Sequence, residues 1–126
     1  MVDKEHIMKI LVSGCSFTHW PEEPGSPNNI CWPAHLQHLD QTIEITNLAE
    51  PGAGNQYIAN SLVNALITRP NYYDMVLVMW SGLQRLDYMI GRETYKALEY
   101  SRVETTGIHW ALGGDIVSHA SNDVLL

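Results

Sequence analysis

Residues 7–19 read Ile-Met-Lys-Ile-Leu-Val-Ser-Gly-Cys-Ser-Phe-Thr-His, and this stretch decides the fold. The apolar run Ile10-Leu11-Val12 is typical of a buried strand, such as the central strand of a parallel sheet. Ser13-Gly14-Cys15-Ser16 follows at once and predicts a tight turn. The stretch therefore predicts a central strand that is followed by small nucleophilic side chains. Ser16 is the candidate nucleophile among them.

Apolar periodicity predicts four more elements. They are helices over about 32–39 and 56–68, and strands over 42–48 and 74–80. In the strand at 42–48, Ile43 and Ile45 alternate with polar residues, which is typical of a strand near a sheet edge. The strand at 74–80 is apolar throughout, so we expect it to be buried on both faces. Asn55 precedes the second helix and is expected to cap it.

The alternation of strand and helix is the pattern of a parallel α/β fold. With 126 residues the chain is long enough to bury a core, and we expect residues 1–126 to form a single domain. After Trp80 the periodicity weakens. It predicts a loop over 81–91, a helix over 92–102 and no clear element beyond Val103.

Charge and composition exclude several functional classes. The chain has 14 acidic and 7 basic side chains, a net charge of −7, and no run of basic residues. Nucleic-acid sites and anionic membrane surfaces both need clustered Lys and Arg. No apolar stretch approaches the ~20 residues of a membrane span. The first residues also lack the basic and apolar pattern of a secretory signal. We therefore expect no nucleic-acid partner and no membrane association.

The two cysteines, Cys15 and Cys31, permit one disulfide. In a chain without an export signal, however, two cysteines are more often free thiols in a reducing compartment. We therefore expect a cytoplasmic protein.

Three loops leave the carboxyl ends of the predicted strands. They cover residues 14–18, 49–55 and 80–85, and all three are rich in small or polar residues. Ligands of open α/β sheets bind beyond these strand ends. Because the three strands are expected to be neighbours, the loops should meet and form the site.

Short motifs in these loops resemble those of the SGNH (GDSL-type) hydrolases. Gly14-Cys15-Ser16-Phe17-Thr18 is similar to their first block, Gly-Asp-Ser-Leu/Phe-Thr/Ser, with Cys15 in the Asp position. Asn47-Leu48-Ala49-Glu50-Pro51-Gly52 is similar to the second block, Asn-x-x-x-x-Gly. Val78-Met79-Trp80-Ser81-Gly82 stands where the third block, Gly-x-Asn-Asp, ends a strand. The ordered set covers about residues 7–90 and resembles divergent SGNH-like proteins of phages and marine bacteria.

The resemblance implies a three-layer α/β/α sandwich with a parallel, flavodoxin-like sheet, shortened at its C-terminus. It implies a hydrolase of acetyl or other acyl esters, on a small molecule or an acylated carbohydrate, with Ser16 as nucleophile and no cofactor. The oxyanion hole would combine the N–H groups of Ser16 and Gly52 with a side-chain amide from the third block. For a phage protein, the compartment would be an infected cell or the virion.

Four further residues in the loops are predicted to line the oxyanion or substrate site: Asn55, Ser81, Gln84 and Arg85. Ser81 or Gly82 occupies the place of the third-block Asn. Gln84 would supply the missing amide only if the loop curls back. Arg85 would either bind an anionic substrate group or form an ion pair with Asp87.

The motif that supplies the general base in this family is incomplete in this chain. The family has Asp-x-x-His far downstream, whereas this chain has Asp115-Ile-Val-Ser-His119, one residue longer. His119 is the base candidate by its order in the chain. His19 lies only three residues after Ser16 and could in principle reach its hydroxyl, but the following Trp20-Pro21 turns the chain away from Ser16.

A serine without a base is a poor nucleophile. A second hypothesis is therefore a non-catalytic SGNH-like binding or structural module of viral origin. A nucleotide or flavin binder is disfavoured, since no Gly-x-Gly-x-x-Gly loop follows a strand.

Two expectations concern metals and partners. His35 and His38 share a helix face, but no Cys or acid at ligand spacing completes a metal set, so we expect no metal. Three strands are predicted where the family has five, and a bare sheet edge would favour a homo-oligomer or a partner chain that covers it.

Overall fold

The computed structural model describes residues 7–19, 31–98, 102–105 and 107–114, which form two three-stranded sheets and three helices. The first sheet contains β1 (Met8–Ser13), β2 (Ile43–Asn47) and β3 (Met75–Val78). The second contains β4 (Tyr88–Ile90), β5 (Arg102–Thr105) and β6 (Ile108–Ala111). The helices are α1 (Trp32–Leu39), α2 (Asn55–Thr68) and α3 (Arg92–Ala97). The predicted proline-rich loop over 20–29 lies outside the described residues.

β1 is the centre of the first sheet, as its apolar sequence predicts. The sheet is parallel, with strand order β2-β1-β3. Alternate side chains of a strand point to opposite faces. Accordingly, Ile10 and Val12 belong to the core on which α1 packs, and Leu11 belongs to the core that contains residues of α2. The predicted βαβαβ order of the first half is thus confirmed.

β2 and β3 are the two edges of the parallel sheet. The edge position of β2 is the predicted one, whereas the prediction that β3 is buried on both faces is wrong. Met75 and Val76 are 43% and 40% exposed. The reason is that β1 is the only described strand that pairs with β3. An apolar run predicts a strand, but it does not predict how many other strands pair with it.

The second sheet is antiparallel, with strand order β4-β6-β5, and sequence periodicity did not predict it. Its strands have three or four residues each, which is too short for a period to be recognised. The predicted helix over 92–102 is correct only in its first half, because α3 ends at Ala97 and Arg102 begins β5. The observed architecture is therefore a mixed α/β fold with one parallel and one antiparallel sheet.

Trp110 of β6 joins the second sheet to α2. Its ring meets the Tyr57 ring edge to face, with centroids 5.6 Å apart and planes at 86°. The Tyr57 hydroxyl donates to the Leu48 carbonyl at 2.9 Å and lies 3.2 Å from Oγ1 of Thr105. Both rings lie in the same core as Leu11 of β1. The two sheets thus contribute to one core, which also contains Tyr57 and Ile58 of α2.

Two further observations concern the chain as a whole. In the part of the chain that the structure describes, no helix has the length and apolarity needed to cross a membrane. No disulfide joins Cys15 to Cys31.

Candidate functional site

The three loops at the carboxyl ends of the parallel strands meet, as the topology predicts. The Glu50 N–H donates to the Gly14 carbonyl at 3.2 Å, which places the second loop beside the first. The Met79 N–H donates to the Ser13 carbonyl at 3.1 Å, so the third loop starts on the other side of β1. The candidate site is therefore built around the end of the central strand.

Ser16 lies on a single helical turn directly after β1. The N–H groups of Thr18 and His19 both donate to the Cys15 carbonyl, at 3.0 and 2.9 Å. The Ser16 side chain is exposed. Within the described ranges, neither its hydroxyl nor its N–H has a hydrogen-bond partner. Both groups are therefore available to a ligand.

The turn that carries Ser16 is anchored through Thr18. The indole N–H of Trp32 donates to Oγ1 of Thr18 at 2.9 Å, and the Asn47 amide donates to the Thr18 carbonyl at 2.7 Å. A Cβ at position 14 would lie 2.7 Å from Cβ of Thr18, so only glycine fits there. Gly14 and Thr18 of the first motif are thus explained by the packing of the turn, whereas the hydroxyl of Ser16 is not.

Gly52 has the backbone conformation that favours glycine. Its φ is 84°, in the left-handed region that side chains with a Cβ rarely adopt. Its carbonyl accepts a hydrogen bond from the Gly114 N–H at 2.8 Å. Among the described residues, the Gly52 N–H donates to no acceptor. The predicted oxyanion donor is therefore unpaired in the loop that borders the Ser16 turn.

Asn55 holds the third loop and does not cap α2. Its amide nitrogen donates to the Ser81 carbonyl at 3.2 Å. Its amide oxygen accepts from the Ser81 N–H at 2.8 Å and lies 3.2 Å from the Ser81 hydroxyl. The helix starts at Asn55 with Gly54 as its N-cap residue, so the predicted side-chain cap is wrong. The amide of Asn55 thus positions Ser81, which lies where the third-block Asn was expected.

The carboxylate of Asp87 caps α2 instead, a role that no local sequence pattern indicates. Its two oxygens accept from the N–H groups of Gly54 and Tyr57, both at 2.8 Å. It also accepts from the Gly113 N–H at 2.8 Å. An N-cap side chain normally bonds to the N–H at the third helical position, which here is Tyr57. Asp87 thus ties the start of α2 to the third loop and to the segment after β6.

Gln84 and Arg85 lie on a turn that folds back on itself. The Arg85 N–H donates to the Gly82 carbonyl at 3.3 Å and closes this turn. A Cβ at position 82 would be 2.5 Å from Oε1 of Gln84, so the exposed Gln84 amide lies over Gly82. The Arg85 guanidinium donates to the Ala53 carbonyl at 3.2 Å. Among the described residues it makes no ion pair with Asp87, so that alternative is wrong.

His19 and Glu50 are two titratable residues in the first two loops. Nδ1 of His19 lies 3.0 Å from the Ala49 carbonyl, which only accepts, so Nδ1 carries the hydrogen and Nε2 of a neutral ring has none. Burial raises the pKa of the half-buried Glu50 carboxyl, and the nearby His19 partly offsets that rise. No motif in the sequence gave Glu50 a role, although its place two residues before Gly52 is a usable signal.

The other histidines in the described part of the chain, His35, His38 and His109, do not contribute to this arrangement. His119 lies outside the described residues, and its role as base stays a prediction. His35 and His38 are exposed on α1. Nε2 of His109 lies 3.4 Å from the Glu104 carboxylate, in the second sheet. A search of the described ranges finds no group of three His, Cys, Asp or Glu side chains that could hold a metal ion.

Comparison with known proteins adds no assignment. No protein-family model, no curated protein and no solved structure matches this chain.

Proposed function

We propose that this protein is an ester hydrolase of the SGNH type, which cleaves acetyl or other acyl esters with Ser16 as its nucleophile. The observation that carries the proposal is the Ser16 hydroxyl, which is exposed and lacks a hydrogen-bond partner among the described residues. It lies on an anchored turn at the end of the central parallel strand. Packing accounts for Gly14 and Thr18 of the motif, but it does not require a serine at position 16.

The oxyanion hole in this proposal uses the N–H groups of Ser16 and Gly52. Both are unpaired among the described residues, and the hydrogen bond from Glu50 to Gly14 brings their loops together. The Gln84 amide, folded back over Gly82, is the third donor. Such donors stabilise the charge of the tetrahedral intermediate, and the loss of one typically costs about 2.7–4 kcal/mol of barrier.

The flavodoxin-like sandwich expected from the resemblance belongs to the same proposal. It is supported by the two helices that pack with alternate residues of β1, α1 with Ile10 and Val12 and α2 with Leu11. Helices on both faces of a parallel sheet are the arrangement of doubly wound α/β folds.

The test is the hydrolysis of p-nitrophenyl acetate by the wild-type protein and by Ser16→Ala. We expect kcat/KM to fall at least a hundredfold in Ser16→Ala, because the acyl-enzyme can no longer form. Thr94→Ala removes an exposed hydroxyl on α3 and should leave the rate unchanged. Equal rates for wild type and Ser16→Ala would remove Ser16 from catalysis and overturn the proposal.

A non-catalytic SGNH-like binding or structural module is the second candidate, and one observation favours it. Asn55 and Arg85, two of the side chains predicted to bind substrate, make hydrogen bonds to the protein's own backbone. In that case the protein would release p-nitrophenol no faster than buffer, with or without Ser16.

A further inference from the structure

We infer that His19 is the general base that activates Ser16, an inference that rests on the proposed function. The first reason is the geometry of the turn. The Cys15 carbonyl accepts from both Thr18 and His19, so the intervening residues follow a helical path. Residues three positions apart on a helix are neighbours on one side, with Cβ atoms roughly 5–6 Å apart. Ser16 and His19 have this spacing.

The second reason is the state in which the His19 ring is held. A general base needs one ring nitrogen fixed as a donor and the other left to take up a proton. The Ala49 carbonyl accepts from Nδ1 of His19 at 3.0 Å, which fixes the tautomer and restrains the ring. Nε2 is then the basic nitrogen, and the half-buried ring keeps part of its surface accessible.

The third reason is the charge beside the ring. Glu50 follows Ala49 directly in the chain, and its half-buried carboxyl interacts electrostatically with His19. The second loop thus supplies the carbonyl that orients His19 and also places the Glu50 carboxyl near the ring.

The Ser16 hydroxyl does not hydrogen-bond to His19 in this structure. Catalytic hydrogen bonds are often long or absent without substrate and tighten in the complex. The exposed Ser16 side chain has room to rotate about χ1. In this proposal, rotation about χ1 brings the Ser16 hydroxyl to Nε2, on a backbone turn that Thr18 anchors.

The reaction then proceeds in two half-reactions. Nε2 of His19 takes the hydroxyl proton as Oγ of Ser16 bonds to the ester carbonyl carbon, and the carbonyl π electrons move to the oxygen. Collapse of the intermediate breaks the bond to the leaving alkoxide, which receives the proton from Nε2. A water molecule then loses a proton to Nε2 and attacks the acyl-enzyme. Collapse releases the acid, and Oγ of Ser16 recovers the proton.

The test compares the variants His19→Ala, His35→Ala, His119→Ala and Ser16→Ala. In p-nitrophenyl acetate turnover, we expect His19→Ala to lose 10²- to 10⁴-fold in kcat. His35→Ala, the exposed control on α1, should keep the wild-type rate. Added imidazole should restore a large part of the activity of His19→Ala and none of that of Ser16→Ala, a rescue that a purely structural role of His19 would not allow.

A fluorophosphonate probe provides a second measurement that does not depend on the acyl group of the true substrate. Peptide mass mapping should find the adduct on Ser16 in the wild type and much less of it in His19→Ala. If His19→Ala stays active and His119→Ala does not, the inference is overturned while the proposed function stands. If Ser16→Ala equals wild type, the proposed function itself fails.

Discussion

The Asp87 side chain bonds to two segments that are far apart in the sequence, the start of α2 and the residues after β6. Asp87 is 8% exposed, and among the described residues its carboxylate accepts from the backbone N–H groups of Gly54, Tyr57 and Gly113. Oxygens of one carboxylate can accept several hydrogen bonds, and those to an ionised group are the strongest. Gly54 is glycine for the same reason, since a Cβ there would lie 2.8 Å from Oδ2 of Asp87.

We predict that Asp87→Asn lowers the free energy of unfolding by about 3 kcal/mol, because one acceptor oxygen is replaced by an NH₂ group that faces an N–H. Urea denaturation measures the change. Asp40→Asn is the control. The Asp40 side chain is exposed and, among the described residues, bonds only to Thr42, so the loss of stability should be smaller. An Asp87→Asn protein as stable as wild type would contradict the role assigned to this cap.

Glu50 makes a pH-dependent contribution to stability. Burial raises its pKa in the folded protein above the ordinary value of 4.5, so ionisation is more costly in the folded state than in the unfolded one. Stability therefore falls as the pH rises through that raised pKa. Glu50→Gln cannot ionise, so we expect a higher Tm than wild type at pH 7, and this difference should vanish near pH 4.

Thermal unfolding at the two pH values checks this sign. Glu93→Gln on α3 replaces an exposed acid and should not raise Tm at either pH. A Glu50→Gln protein with lower Tm than wild type at pH 7 would mean that the attraction to His19 outweighs the cost of burial.

At the scale of elements, β1 and α2 are joined by a buried hydroxyl pair. The Ser13 and Ser61 hydroxyls are 2.9 Å apart, and Ser61 also donates to the Ile58 carbonyl at 2.9 Å. Since Ser61 has one hydrogen to donate, Ser13 must be the donor within the pair.

This asymmetry predicts unequal costs for the two alanine variants. Ser61→Ala leaves the fully buried Ser13 hydroxyl without its acceptor and should cost about 1–3 kcal/mol of unfolding free energy. Ser13→Ala leaves Ser61 bonded to Ile58 and should cost about 1 kcal/mol or less. Urea denaturation of both variants and of the double variant gives the comparison. Equal costs would contradict the donor assignment.

Also at this scale, the elements were predicted well where their signals are local. α1 and α2 agree with their predicted ranges to within a residue, and β1 contains the apolar run Ile10-Leu11-Val12 that predicted it. An apolar run or a helical stripe is a signal that acts within a few positions. The second sheet was not predictable in this way. Its strands β4 and β6 pair although α3 lies between them in the sequence. Trp110 is buried by residues distant in the sequence, such as Tyr57, whose ring it contacts.

At the scale of the whole molecule, the outer edge of β3 is an apolar surface. Met75, Val76 and Trp80 are 43%, 40% and 55% exposed, and no strand among the described residues pairs with that edge. Exposed edge strands of this kind tend to pair with another chain. We therefore expect a second copy or a partner chain to cover it.

Light scattering after size exclusion tests the homo-oligomer. The wild type should have a mass of at least twice 14.2 kDa, and Val76→Lys should have the monomer mass, because a lysine on an edge strand opposes pairing. Glu44→Lys places the same charge on β2, the opposite edge, and should leave the mass unchanged. If the wild type is monomeric at high concentration, the homo-oligomer is excluded, and only a different chain could cover this edge.

The amino-acid sequence alone predicts the central strand and the two helices that follow, because each depends on neighbours close in the chain. It also predicts the meeting of three loops around Ser16, because the ends of neighbouring parallel strands lie at one edge of the sheet. Only the tertiary structure decides that Asn55 binds Ser81, that Asp87 caps α2 and that β3 lies at an edge. Asn55 and Ser81 are 26 positions apart, and Gly54 and Asp87 are 33. Residue type indicates that a buried amide or carboxylate needs a partner, but only the folded chain determines which backbone groups come within reach.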